Sequence, residues 1–372
     1  MYEQEFPLDP AVHHLNHAAV APWPARTRSA VQAFAEENAR QGSRQYDRWL
    51  AVERSLRARL QRLINAPSSA EIALLKSTSE GLSVVAHGLP WESGDRVVIT
   101  NLEFPSNRIV WQSLGPRGVR VRQVDIVAAP DAEQALIEAL DERTRVLAVS
   151  SVQYNVGLRL DLERLGEACR DRGVLFCVDA IQSIGALPFD AQAVQADFVV
   201  ADGHKWMLGP EGLALFYCRN DRLEELELHQ YGWHMVAHRG EFDRKDWAPA
   251  ADATRFECGS PNFLGIHALE ASLSLLEEVG LEAVERAIAS RVERILDCLL
   301  DRPTQFEILT PLDPRRRGGI VTFRPLNEEP DRLYRRLQEA GVLCALRGGG
   351  IRFSPHFYTT DPTLDYVLNL LY

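Results

Sequence analysis

Lys205 and Asp179 are the two residues of this chain whose types and placement could do chemistry together. Lys205 stands in Asp202-Gly203-His204-Lys205-Trp206, directly after Phe198-Val199-Val200-Ala201. That run is short, apolar and β-prone, and so reads as a buried parallel strand. A second such run, 174–178, ends at Asp179 and is followed by Ala180-Ile181-Gln182. Open parallel sheets bind their ligands at the C-terminal ends of strands. There a lysine amine can form a Schiff base with an aldehyde, and a carboxylate can hold a pyridine nitrogen protonated. Pyridoxal 5'-phosphate (PLP) needs that pair. Singly, the lysine reads as a solvated loop residue and the aspartate as a helix N-cap. Together at one sheet edge they read as a site.

Ser77-Thr78-Ser79-Glu80-Gly81 follows the strand-like run 72–75 and opens a helical pattern. Hydroxyls and free N–H groups at a helix N-terminus are an ordinary capping cluster, but at a strand end they also suit a phosphate. The chain has neither a Walker-type loop nor a GxGxxG after the first strand. Gly348-Gly349-Gly350 comes late and reads as a flexible turn. His13, His14 and His17 lie close together without an acid or thiol at ligand spacing, so no metal site is expected. Trp233 and His234 could equally line a pocket or pack at a domain junction.

These residues need a scaffold, and the hydrophobic pattern supplies one. Residues 25–64 carry long helical periodicity, broken near Gly42-Ser43. Strands are expected at 72–75, 96–100, 119–124, 146–150, 174–178, 198–201 and 213–217. Helical stretches lie between them, such as 162–172 with Asp161 as N-cap and Gly173 as its stop. Such alternation implies βαβ crossovers. After about Arg255 the pattern changes to helices 262–279 and 281–300. Strands 306–309, 319–323, 342–346 and 351–354 follow, with a helix at 330–340. The expected fold is therefore α/β, a mostly parallel sheet with helices on both faces, plus a smaller C-terminal α+β domain with mixed strands. The large domain would span 15–255 and the small one 256–372, with segment 1–14 packing near the latter and a cleft between the two.

At 372 residues the chain exceeds a single core. Its 46% hydrophobic and 25% charged content is that of a soluble enzyme. A formal charge of -11 argues against a nucleic-acid partner. The only compact basic run, Arg315-Arg316-Arg317, reads as a solvated turn. The start lacks the pattern of a secretory signal, and no apolar stretch is long enough for a membrane span. The six cysteines (Cys169, Cys177, Cys218, Cys258, Cys298 and Cys344) have no CxxC spacing and read as thiols of a reducing compartment. A cytoplasmic location is expected.

With these residues in view, the chain resembles the class V aminotransferases, fold-type I PLP enzymes that include cysteine desulfurases and isopenicillin-epimerase-like proteins. The likeness rests on Val178-Asp179-Ala180-Ile181-Gln182-Ser183 and on Ala201-Asp202-Gly203-His204-Lys205-Trp206 with the residues to Gly212, and it spans 15–360. It implies PLP as cofactor, with Lys205 as the internal-aldimine lysine and Asp179 paired with the pyridinium nitrogen. Gln182 would bond the ring hydroxyl, and His204 would lie beside the cofactor near its phosphate. Thr78 and Ser79 would form the phosphate-binding turn. Phe104 would stack over the ring, with Asn107 lining the site, and Asn155 would lie near the ring hydroxyl with Gln153 as a neighbouring option. Ser260 would complete the partner's phosphate site in a homodimer. Asn16 and His17 would enter the substrate pocket, and Arg352 would grip the α-carboxylate of an amino-acid substrate, a task suited to a bidentate guanidinium.

The chain also departs from that pattern. Desulfurases of the family carry a nucleophilic Cys on a loop before the arginine. Here Cys344 lies in the strand-like run 342–346 with no His before it, and reads as a packing thiol. Phe104 stands where desulfurases have a stacking His. Asp202 replaces a phosphate-donating serine, so its carboxylate is expected to turn away. The resemblance implies Cα-proton abstraction by Lys205 on an amino acid or related amine, with transamination as the leading outcome. A C–S or other β-lyase and an epimerase are the alternatives, and a catalytically silent PLP-fold binding protein is the reading from another class. The missing glycine fingerprint disfavours a nicotinamide-dependent dehydrogenase.

Overall fold

The computed structural model describes residues 2–371. In chain order its strands are β1 (His13–His14), β2 (Ile72–Leu75), β3 (Arg96–Thr100), β4 (Arg120–Val124), β5 (Thr144–Ser150), β6 (Leu175–Asp179), β7 (Phe198–Asp202), β8 (Ala214–Cys218), β9 (Phe306–Ile308), β10 (Val321–Pro325), β11 (Val342–Leu343), β12 (Ala345–Arg347) and β13 (Gly350–Phe353). Seven of them form one sheet in the order β2-β8-β7-β6-β5-β3-β4. Strands β3 to β7 run parallel, whereas β8 is antiparallel to both of its neighbours, β7 and β2.

Strands β6, β7 and β8 are buried along their whole length, which is why their sequences are continuously apolar. Their side chains alternate between two cores. Phe176, Val178, Val199 and Ala201 join one, while Leu175, Cys177, Phe198 and Val200 join the other. The first core takes Leu56, Leu60 and Leu165 from helices Tyr46–Leu63 and Leu162–Arg172; the second takes Leu82, Val85 and Trp111 from Thr78–Gly88 and Ser106–Gln112. Helices therefore cover both faces. β4 closes one edge with Arg120, Arg122 and Gln123, polar residues that protect an open strand.

Local signals hold where their chemistry is strong. The long N-terminal helical pattern divides into Ala25–Gln41 and Tyr46–Leu63 at Gly42, whose φ of 57° ends the first helix. Asp161 caps Leu162–Arg172 by accepting from Arg164 N, and Gly173 stops it in the left-handed region. Helix Asp361–Asn369 was not expected, although Thr360 caps it by accepting from Thr363 N and a proline stands in its first turn.

The smaller sheet, β12-β13-β10-β9, is antiparallel throughout rather than mixed. The run 342–346 is not one strand. β1 captures Val342–Leu343 in a parallel pair, while Ala345–Arg347 turns back onto β13. Gly348 and Gly349 make that turn with φ of 61° and 79°, the positive pair a tight two-residue hairpin requires. Helix Phe263–Val279 packs on Ala25–Gln41 and Tyr46–Leu63, and Leu281–Leu300 lies against β9 and β10. The basic run is not a solvated turn as a whole. Only Arg315 stays at the surface with Asp313, whereas Arg316 pairs with Glu133 of helix Ala132–Glu138 and Arg317 with Glu293 of helix Leu281–Leu300.

Candidate active site

Asp179 closes β6 and Asp202 closes β7, and the two strands are parallel neighbours, so both acids and the following Lys205 emerge at one edge. Close backbone bonds hold the lysine loop. Gly203 N donates to Leu213 O at 2.9 Å, Leu208 N to Lys205 O at 3.0 Å and Gly209 N to Gly203 O at 2.8 Å. Leu208 carries a φ of 60°, a strained conformation for a γ-branched residue. The loop after β6 presses against this one. A Cβ on Gly185 would lie 2.4 Å from Trp206 O, so only glycine fits there.

Lys205, Asp179, Gln182, Thr78, Ser79, Phe104, His204, Asp202 and Arg352 all line one cavity of about 300 Å³. A wider groove of about 940 Å³ along Arg62, Arg159 and Arg315 holds neither the lysine nor Arg352.

Burial strips water from the Lys205 ammonium and lowers its pKa, with Arg352 adding to the shift and Asp179 and Asp202 opposing it. Asp179 is only 2% exposed, and burial raises its pKa. Ile181 N, which donates to Asp179 Oδ1 at 3.1 Å, pulls the other way, Glu103 adds to the rise, and Lys205 lowers it. A protonated ring nitrogen against this carboxylate would supply the positive charge that its site lacks. Phe104 has its ring centroid 5.6 Å from Lys205 Nζ and meets Tyr154 edge to face at 5.0 Å. Gln182 is oriented by two bonds, Nε2 to Ala18 O at 3.0 Å and Trp206 Nε1 to Oε1 at 2.8 Å. Its second N–H is left for a ligand hydroxyl.

At the N-terminus of helix Thr78–Gly88, Thr78 N is taken by Asp202 Oδ2 at 3.0 Å and Glu80 N by Ser77 Oγ at 3.2 Å. The Ser79 amide is left for an anion at this helix N-terminus. His204 brings a buried Nδ1 with no hydrogen-bond partner. The Asp202 carboxylate is turned onto the helix amide while still lining the cavity.

Arg352 is 2% exposed, and its pKa is pushed down to about 10 by burial and then by Arg347. Nη1 donates to Tyr154 O at 2.7 Å, Nη2 reaches Asn16 Oδ1 at 3.5 Å, and Nε has no partner. No carboxylate among the described residues pairs with this buried cation. A cation placed this way is a socket for an incoming anion.

Other expected residues fall elsewhere. Asn155 does not line the cavity: its Oδ1 accepts from Val156 N at 2.9 Å, and the preceding Tyr154 faces the cavity instead. Asn107 and Gln153 are buried on Glu103, at 2.9 and 3.2 Å. His17 is fully buried, with Nδ1 on Ser354 O at 2.8 Å and Nε2 on Tyr358 Oη at 2.6 Å. It therefore packs the N-terminal segment while Ala18 and Ala19 reach the cavity. Asn16 touches the site only through Arg352. Ser260 is exposed and outside the cavity of its own chain. Trp233 and His234 are also outside it. His234 forms, with Glu53 and Glu257, the one metal-like group among the described residues, but Arg57 and Arg239 already hold its acids and imidazole.

Three residues went unrecognised in the sequence. Glu103 accepts from Thr100 Oγ1, Ser150 N and Oγ, Asn107 and Gln153, tying the ends of β3 and β5 beneath Asp179. Its spacing of three from Thr100 was the available signal. Tyr154 and Arg347 also line the cavity, Arg347 directly before the Gly348-Gly349 turn, but neither residue type marked a site in the sequence.

This sheet, with a lysine and an acid at neighbouring strand ends and an arginine from a smaller domain, defines the fold-type I PLP-dependent architecture. The model of the family described as Aminotransferase class-V matches residues 13–365. The chain belongs to that family, and the donor set at its strand ends fits PLP. A probable cysteine desulfurase of Methanothermobacter thermautotrophicus is 32% identical over 95% of this chain and 92% of that protein. Among solved structures, a complex between the cystine C-S lyase C-DES and its product cysteine persulfide superposes with a TM-score of 0.91 at 24% identity, covering 98% of both chains. A C-DES variant with glycine covalently linked to the PLP cofactor gives a TM-score of 0.92, also at 24% identity, covering 100% of this chain and 98% of that one. No helix of the described residues is long and apolar enough to cross a membrane.

Proposed function

We propose that this enzyme is a PLP-dependent β-lyase that cleaves the C–S bond of a sulfur-bearing amino acid by elimination, without parking sulfur on a protein thiol. When bound, PLP supplies an aldehyde that joins the substrate amine and a ring that takes up electrons from Cα. Asp179 keeps the ring nitrogen protonated. Thr78, Ser79 and His204 would hold its phosphate, and Phe104 would cover its ring. Arg352 grips the α-carboxylate and fixes the rotation about Cα. Lys205, its amine freed by the substrate, is the base that takes the Cα proton, with a pKa already lowered by burial. Departure of the sulfur substituent from Cβ completes the elimination. With L-cystine and one water the balanced products are pyruvate, ammonia and cysteine persulfide.

The burial of Cys344, the thiol nearest to Arg352 in sequence, supports this reading over a protein-persulfide route. Cys344 sits at the break between β11 and β12, 3% exposed, with its pKa pushed up to about 12 by burial. No cysteine among the described residues lines the cavity. A thiol so held is neither ionised nor reachable. The relatives' names support C–S cleavage over the transamination expected first, although both outcomes would use Lys205, Asp179 and Arg352 alike.

The reading includes a homodimer in which exposed Ser260 reaches the partner's phosphate. It also includes a cytoplasmic location, in keeping with six free cysteines. The test is incubation of the holoenzyme with L-cystine and L-cysteine. Catalytic pyruvate and ammonia, with persulfide or sulfide, are expected. A keto acid that retains its β-substituent, formed once per cofactor, would establish transamination instead. A visible band that no amino acid perturbs would establish a silent binder.

A further inference from the structure

Arg352 accounts for one carboxylate, yet a second arginine stands beside it without an acid. Arg347 ends β12, which pairs with β13 in the register Ala345↔Arg352 and Arg347↔Gly350. Residues opposite one another in an antiparallel pair share a face, and alternate residues of one strand return to that face. Arg347 and Arg352 thus project from the same face at diagonal positions, roughly 7–8 Å apart. Both line the PLP cavity. Arg347 Nη1 donates only to Leu346 O, at 2.8 Å, and no carboxylate among the described residues pairs with it.

An exposed arginine at a rim is ordinarily a solvated charge. Here it also adds repulsion to a buried arginine, lowering that residue's pKa, and shares the cavity with Phe104, Tyr154 and Ala19. The two acids of the cavity, Asp179 and Asp202, close β6 and β7 at its floor, where Ile181 N and Thr78 N hold them. One α-carboxylate on Arg352 leaves the second cation unanswered.

We infer that Arg347 selects substrates whose leaving group bears a second carboxylate, in the class of thioether- or disulfide-linked amino acids. The assignment of the leaving group rests on the β-lyase reading; the capture of a second carboxylate does not. The test compares S-(2-carboxyethyl)-L-cysteine with S-propyl-L-cysteine, similar in length and differing in the terminal charge. Two quantities are measured on the holoenzyme: kcat/KM from pyruvate release, and Kd from the shift of the visible cofactor band. In the wild type the acid is expected to be favoured about tenfold or more. Arg347→Gln should collapse that ratio towards one, chiefly through KM and Kd, and Arg347→Lys should restore part of it. Equal affinity for the two ligands in the wild type overturns the inference, as does a ratio that survives in Arg347→Gln. If neither these ligands nor L-cystine yields pyruvate, the β-lyase reading fails, while the Kd ratio still decides the role of Arg347.

Discussion

Thr78 and Asp202 are bonded to each other twice: Thr78 N donates to Asp202 Oδ2 and Asp202 N donates to Thr78 Oγ1, each at 3.0 Å. The pair locks the first turn of helix Thr78–Gly88 to the end of β7, three residues before Lys205. It also places a carboxylate where a phosphate is to be bound, so helix anchoring and cofactor affinity are opposed at one residue. Asp202→Asn keeps an acceptor for Thr78 N and removes the charge. PLP titration of the apoprotein should show a Kd lower by on the order of three- to tenfold. Asp202→Ala leaves a buried N–H unpaired and should cost about 1–3 kcal/mol in chemical denaturation. Weaker PLP binding by Asp202→Asn would mean that the carboxylate helps the cofactor.

Lys205→Ala should still bind PLP through Thr78, Ser79, His204 and Asp179. Borohydride should then fix no cofactor to the chain, whereas in the wild type the adduct should map to Lys205 by peptide mass spectrometry. Loss of the base should lower kcat by roughly 10²–10⁴-fold. An adduct persisting in the variant would move the Schiff base elsewhere.

Arg352→Gln removes a buried cation that faces the cavity and has no partner acid among the described residues. A charged hydrogen bond contributes about 1.5–3 kcal/mol, so kcat/KM should fall roughly 10- to 150-fold. An amine lacking a carboxylate should lose far less. Equal losses for both would remove Arg352 from substrate binding.

Cys344→Ala should leave C–S cleavage within about twofold of wild type and cost about 1 kcal/mol of stability. A loss of two orders of magnitude in sulfur release, with the fold intact by circular dichroism, would restore the thiol-dependent route.

Acid should destabilise the N-terminal clasp. His356 is held neutral, with Nδ1 accepting from Phe357 N at 2.8 Å and Nε2 donating to Trp206 O at 3.1 Å. His17 is likewise satisfied on both nitrogens. Burial drives the pKa of His356 down to about 3 and that of His14 to about 4, and pushes His17 well below its ordinary value. Because these folded pKa values lie below the unfolded one near 6.5, the unfolded chain binds more protons in acid. Their stability contribution is complete above pH 6.5 and is lost as pH falls towards 3–4, by roughly 1.4 kcal/mol per unit for each group. Denaturation midpoints at pH 7 and pH 5 should differ accordingly, and His356→Asn should reduce the difference. A flat profile would mean that these histidines are solvated.

Chemistry at the strand ends was legible because it is local. Asp179, Gln182, His204 and Lys205 each follow an apolar strand directly, so an open parallel sheet delivers them to one edge in register. Asp161, Gly173 and the break at Gly42 were legible for the same reason, each acting within a few residues. Long-range capture was not. The run 342–346 looks like one strand until β1, more than 300 residues earlier, pairs with its first half. His17 looked like a pocket residue until Ser354 and Tyr358 closed on both of its nitrogens.

The sequence by itself indicated the strands and the sheet edge at which Asp179 and Lys205 emerge, since strand periodicity and residue type suffice for each. Only the tertiary structure decided that the run 342–346 divides at Cys344, that Asn155 yields to Tyr154, and that two arginines without a partner acid share a face of the small sheet. Those outcomes depend on which side chains a turn or a distant strand happens to cover. Burial and pairing of that kind are properties of the packed chain, not of any segment within it.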